Sequence, residues 1–416
     1  MIKKFFVAVS LLLSAASFAQ EGTSSPYSFY GLGELKFRGT VENRSMASIS
    51  VFPDSIHMNL QNPAYYPYLK LTGLSLGASY GTTNLKTNTE ESRAKRTSLD
   101  YLAVSVPMGK FGAGFGLMPY TSVGYKIQTV VNSTDPAQLR QYQGSGGLNK
   151  AFLGAGYQLT KNFSIGAEFG YFFGNIETSS IASIEGVQYG TRELNDSQAS
   201  GPGFNTGISY TSKLNGKLLF SAGATYSPET KLTFDNERNI ATVEFLTGGT
   251  RVIDEEDIDV ANTTVKMPAK FSFGAGLGEP KKWMLGTEVT FTQSEDTGNR
   301  FADIDNAEFE NGTRYSIGGY FIPNYASFSE YWKKVTYRAG LKYEKTGLIL
   351  NDKSITDAAL TLGLGLPLGG TFSNINIGFE YGKRGTRDAG LVEENYLNFT
   401  LGLSFNDRWF VKRKYD

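Results

Sequence analysis

The chain has 416 residues, with 40 basic and 40 acidic side chains, no Cys and one His. Balanced charge gives no electrostatic footprint for nucleic acid. The lack of Cys excludes disulfides and thiolate chemistry, and a lone His gives little basis for a catalytic centre. Against that stand 48 Gly, 29 Phe and 24 Tyr at a mean hydropathy of −0.26. Membrane barrels have this profile because only every second strand residue meets lipid.

The chain opens with a signal peptide over residues 1–19. Lys3 and Lys4 precede a short apolar run over residues 5–13, and Ser17-Phe18-Ala19 supplies small residues for cleavage after Ala19. The run is too short to span a membrane as a helix, and no Cys follows to make a lipoprotein. Sec-type export to the cell outer membrane follows from this reading.

Residues 20–70 carry many turn formers and little alternation. Such a segment folds only against something else, and the lumen of a wide barrel is the natural support. It is read as an N-terminal hatch. Asn62-Pro63-Ala64 reads as a rigid turn, because Pro63 fixes its own φ and restricts Asn62 to extended geometry. Tyr27, Phe29, Tyr30, Phe52, Tyr65 and Tyr66 fit two roles. They could wall an apolar ligand pocket or form the hatch's own core. His57 lies here too and reads as a hydrogen-bonded structural residue.

From residue 71 to 405 the sequence alternates with period two. Phe163, Ile165, Ala167, Phe169, Tyr171 and Phe173 oppose Ser164, Gly166, Glu168 and Gly170. Leu397, Phe399, Leu401, Leu403 and Phe405 oppose Asn398, Thr400, Gly402 and Ser404. One apolar and one small or polar face per strand predicts an all-β fold, a transmembrane antiparallel β-barrel of about 14 strands. Connections alternate between short turns, such as Met108-Gly109 and Glu279-Pro280, and long polar loops over residues 84–96, 126–145, 179–200, 232–262 and 294–311. Short turns face the periplasm and long loops the outside. The exception is 323–334, a longer link on the short-turn side with room for a short helix. Residues 406–416 form a periplasmic tail.

Alternation puts Glu168, Glu288, Arg338, Lys342, Glu344 and Glu380 on the lumen side, because an Arg or Lys on the lipid face costs ~2–4 kcal/mol at mid-depth. They read as structural pairs or as a polar path. Asp254-Glu255-Glu256-Asp257 and Asp259 read as a solvated acidic loop, since the Gly and spacing of a calcium loop are missing. No catalytic, metal or cofactor site is expected.

Several motifs together carry a resemblance. They are Ser25-Pro26-Tyr27-Ser28-Phe29-Tyr30-Gly31-Leu32-Gly33-Glu34-Leu35, Asn59-Leu60-Gln61-Asn62-Pro63-Ala64, Gly116-Leu117-Met118-Pro119-Tyr120-Thr121 followed by Gly124-Tyr125, Gly144-Ser145-Gly146-Gly147-Leu148 and Trp409-Phe410-Val411-Lys412-Arg413-Lys414. The chain resembles the FadL/TodX outer-membrane transporters of fatty acids and aromatic hydrocarbons, in their Bacteroidota branch. That resemblance implies a fourteen-stranded barrel with an N-terminal hatch, without a residue-by-residue map of ligand contacts. PorV-like subunits of type IX secretion share the fold. Two functions therefore stand: passive uptake of small hydrophobic molecules, or an adaptor barrel in an outer-membrane complex. The partners implied are outer-membrane lipid, a hydrophobic ligand and, in the second reading, complex subunits.

Overall fold

The computed structural model describes residues 22–131, 136–246, 249–295, 307–369 and 372–408. The signal peptide, its cleavage site and tail residues 409–416 lie outside the described residues. The N-terminal segment holds a short strand, β1 (Glu34–Leu35), and one helical turn, α1 (Val41–Arg44). Then come β2 (Thr72–Lys86), β3 (Glu91–Met108), β4 (Phe111–Pro119), β5 (Thr121–Val131), β6 (Gln138–Gln158) and β7 (Phe163–Ile184). Next are β8 (Tyr189–Leu214), β9 (Leu218–Ser227), β10 (Thr230–Leu246), β11 (Gly249–Asp259), β12 (Thr263–Met267) and β13 (Lys270–Glu279). The last are β14 (Trp283–Thr292), β15 (Ala307–Phe309), β16 (Gly312–Phe321), β17 (Thr336–Leu350), β18 (Lys353–Pro367), β19 (Asn374–Arg384) and β20 (Glu393–Asp407).

Four wall strands are interrupted. β4 and β5 both pair with β6, β9 and β10 with β8, and β15 and β16 with β17. β11, β12 and β13 together return along β10 and β9. The result is a closed antiparallel barrel of 14 strands. It closes where β2 meets β20, from Thr72 opposite Asp407 to Lys86 opposite Glu393. Closure is what hydrocarbon demands, because lipid offers no partner to an open strand edge.

The pleat sorts the side chains. Leu285, Phe169, Tyr171, Leu362, Phe399 and Leu401 are exposed on the outer face, while Ser164, Glu168, Thr361 and Thr400 are buried inside. Such an apolar outer band spans a membrane. Leu364 and Ile377 share that outer face but are half-buried by their neighbours.

The long connections are mostly not loops. β7 and β8 stay paired to Ala182 opposite Thr191, and β10 pairs with β8 and β11 at once through Thr242. These strands form a sheet standing beyond the barrel rim. The sequence hides them because apolar alternation fades there. The acidic run 254–259 is accordingly a strand, β11, rather than a loop. Its successive carboxylates point to opposite faces. Link 323–334 holds only one 3₁₀ turn, Tyr331–Lys333.

The register makes a prediction. Leu401→Arg should lower folding stability in lipid vesicles by ~2–4 kcal/mol. Glu256→Arg, on the protruding sheet, should change it by less than ~0.5 kcal/mol. Urea titration of both variants measures this, and equal stability would move Leu401 out of hydrocarbon.

Candidate functional site: hatch and luminal chamber

Residues 22–71 pack inside the barrel. Ala47, Ile49, Ala64 and Tyr66 have no exposed surface. The centre of the segment is a proline-built 3₁₀ turn, Pro63–Tyr68, entered through Asn62 at φ −129°, ψ 105°. The Asn62 side-chain oxygen accepts from Ala64 N at 3.0 Å, and its amide nitrogen donates to the wall carbonyl of Ile208 at 3.1 Å. The wall meets this turn with glycine. A Cβ at Gly156 would lie 2.4 Å from the Pro63 oxygen, and one at Gly207 would lie 2.0 Å from Asn62 Oδ1. Only a missing side chain on the wall lets the turn come so close.

Further out, hatch and wall are tied by charge. Arg384 on β19 reaches Glu34 of the hatch at 2.9 Å, Asp357 of β18 at 3.1 Å and Glu394 of β20 at 3.7 Å. Arg44 of α1 pairs with Asp100 of β3 at 3.1 Å and Glu380 of β19 at 3.4 Å. Lys342 of β17 joins Glu380 at 2.6 Å and Asp357 at 3.9 Å. Ser25 donates to Glu394 and Tyr27 to the Val392 carbonyl. The contacts of Ser25, Tyr27 and Glu34 span sequence separations of more than 300 residues, so the chain's two ends meet inside the lumen.

Above the hatch lies a chamber of about 300 Å³. Tyr27, Tyr30, Leu32, Phe309, Leu348 and Ile355 supply its apolar lining, and Arg38, Lys270, Arg314 and Glu344 contribute charge. The chamber borders a parting in the wall. β3 pairs with β4 only from Leu102 to Met108. Beyond that, β3 pairs with β2, while β5 pairs with β6 and, at its base, with hatch strand β1 through Ser122 and Glu34. Among the described residues no backbone pairing joins β3 to β5. Hatch residues 34–37, with Arg96 and Met118, line the chamber at this seam.

The structure separates the candidate ligand contacts. Tyr27 and Tyr30 line the chamber. Phe29 instead packs edge-on to Tyr125, Phe52 against Tyr320, and Tyr65 donates to Val51 O at 2.9 Å. Tyr66 is wholly buried against the wall. These four pack within the hatch or between hatch and wall and do not line the chamber. Of the six inward charges, Glu168 pairs with Lys150, and Glu288 accepts from Ser50 N and Oγ at 2.8 Å. Arg338 donates to Asn376 at 2.9 Å. Lys342 and Glu380 belong to the hatch network, and Glu344 lines the chamber. Sequence reading missed Glu34, Arg44, Asp100, Asp357 and Arg384. Hatch charges such as Glu34 and Arg44 have no alternation to give them a face.

His57 sits at the short-turn end of the hatch. Nδ1 is 2.8 Å from Asp54 and Nε2 is 3.4 Å from Glu42. Asn376 bridges Glu42 to Arg338. Burial alone would lower the His57 pKa, but Asp54 and then Glu42 outweigh it and raise it, with Arg338 opposing. Burial would raise the Asp54 carboxyl, but His57 and two backbone N–H groups hold it low. Because folding raises the pKa of His57, its contribution is fully present below the ordinary value near 6.5 and is lost as pH rises through the raised one. Protease protection of the hatch should therefore fall on going alkaline, and His57→Gln should flatten that dependence. An unchanged pH profile in the variant would remove His57 from the seat. In the outer network, Arg384→Ala should destabilise the fold by ~3–5 kcal/mol by leaving three carboxylates without their shared cation. Thermal unfolding measures this, and planar-bilayer conductance should rise with it.

Comparison with known proteins places the fold. The CymD monoaromatic hydrocarbon channel is 13% identical, with 90% of this chain and 99% of that one covered at a TM-score of 0.60. The Pseudomonas putida toluene transporter TodX is 15% identical, with coverage of 90% and 100% and a TM-score of 0.60. A Pseudomonas aeruginosa FadL homologue is 14% identical, with coverage of 90% and 99% and a TM-score of 0.58. No curated protein sequence matches. The FadL/TodX resemblance read from the sequence is thus one of fold. The family model that matches is a different one, and it does so over residues 1–416. The chain belongs to the BamG family.

Proposed function

We propose that this protein is an outer-membrane channel for passive uptake of small hydrophobic molecules. It would reach the membrane by Sec-type export with signal cleavage near Ala19. The observation that carries the reading is the chamber of about 300 Å³ beside the parted seam between β3 and β5. Ligand pockets of ~300 Å³ and upward take small molecules through apolar walls and a few polar groups. An apolar solute entering from outside would rest against Tyr27, Leu32 and Leu348. It would then leave sideways, where only the hatch bridges the wall. Structural neighbours named for toluene and monoaromatic hydrocarbons support the reading of a channel for small hydrophobic molecules.

Two observations favour a second reading, an adaptor in an outer-membrane complex as in PorV-like barrels. Ion pairs of Arg44 and Glu34 tie the hatch directly to β3 and β19. The sheet of β8, β10 and β11 also offers a surface outside the barrel. The test is binding of toluene and a long-chain fatty acid to the purified protein. Thr292→Trp, which fills the chamber, should weaken binding about tenfold, or ~1.4 kcal/mol. Leu246→Asp, on the outer sheet, should leave it unchanged. Absence of binding, together with co-purification of stoichiometric protein subunits, would replace uptake with the adaptor role.

A further inference from the structure

The exceptional link between β16 and β17 exposes aromatic side chains at the short-turn rim. Phe328 is fully exposed, Trp332 is 65% exposed and Tyr325 is 54% exposed. The link is nevertheless a built structure. Ile322 N donates to Lys282 O at 2.7 Å, and Asn324 N donates to Lys333 O at 2.8 Å. Tyr331 OH donates to Pro367 O at 3.3 Å, and Tyr337 OH donates to Trp332 O at 3.2 Å. Tyr337 lies on the outer face of β17, next to lumen-facing Arg338. The Trp332 backbone is thus tied to the lipid side of the rim. There it continues an aromatic band that includes Trp283 and Phe321, which are cross-strand neighbours and both exposed.

The same rim is basic. Lys282 pairs with Glu279 at 3.1 Å and Lys333 with Glu330 at 2.7 Å. Lys281 instead lies 4.7 Å from the Tyr325 ring centre, and Lys334 adds a further cation to the link. Aromatic rings beside lysines mark the headgroup level of a bilayer, where long basic side chains rest their stems on apolar surface and keep the charge wet. We propose that residues 322–335 form an interfacial anchor that binds anionic phospholipid of the periplasmic leaflet. The aromatic rings would enter the upper acyl region, and Lys281 and Lys334 would meet the phosphates. Continuity with the lipid-facing band argues for lipid rather than a soluble periplasmic protein. This inference does not depend on what the chamber carries.

The test uses the full chain with Trp283→Phe and Trp409→Phe, leaving Trp332 as the only Trp. It is reconstituted in vesicles of phosphatidylethanolamine mixed with phosphatidylglycerol, with bromine near the top of the acyl chains of one lipid or the other. Trp332 emission should be blue-shifted and quenched, about twofold more strongly when bromine is on phosphatidylglycerol. Lys281→Gln with Lys334→Gln should abolish that preference but keep the quenching. Water-like, unquenched emission would overturn the proposal and leave the link free for a protein partner. Equal quenching by both lipids would overturn its anionic specificity.

Discussion

Every backbone N–H and C=O at membrane depth must find its partner within the chain, since hydrocarbon supplies none. From that constraint come the closed ladder, the strict two-residue period and the outward apolar band. A ring of 14 strands is too wide for its own side chains to fill, so the same constraint passes inward. The hatch occupies the interior, and its backbone must be satisfied as well. Asn62 does so by bonding to Ala64 on one side and a wall carbonyl on the other. Glycine on the strands brings the two backbones close enough for this to work.

The barrel thus separates two environments by one residue's thickness. Phe399 and Leu401 face outward, while Asn398 and Thr400 between and beside them are buried against the lumen. Inside, charges are numerous but mutually arranged, as with Arg384 among three carboxylates. Buried ion pairs add little net stability over apolar packing, but breaking one is costly. They therefore act chiefly to fix where the hatch sits. At the seam between β3 and β5 the ladder lapses, and β1 supplies part of what the wall lacks.

The barrel was legible because lipid imposes a pattern on sequence. Strands such as β7 and β20 announce themselves by alternation at membrane depth. Beyond the barrel rim the pattern vanishes, which is why the outer half of β8 and all of β11 read as loops. The hatch was legible only at Asn62-Pro63-Ala64, where proline restricts geometry locally. Its ion partners were not, because Glu34 and Arg384 meet across 350 residues of sequence. Nor could the aromatics be sorted. Tyr27 reaches the chamber and Tyr66 does not, although each lies against wall glycine.

The strands that close the barrel are its first and last, β2 and β20, and the hatch leads directly into β2. The segment that fills the lumen is therefore covalently continuous with the closing seam. Glu394 of β20 pairs with Arg384 and accepts from hatch residue Ser25, and its neighbour Tyr396 donates to Asp357. The last strand of the chain thus carries groups that complete the interior network. The strand that closes the wall and the network that seats the hatch are therefore one and the same piece of chain.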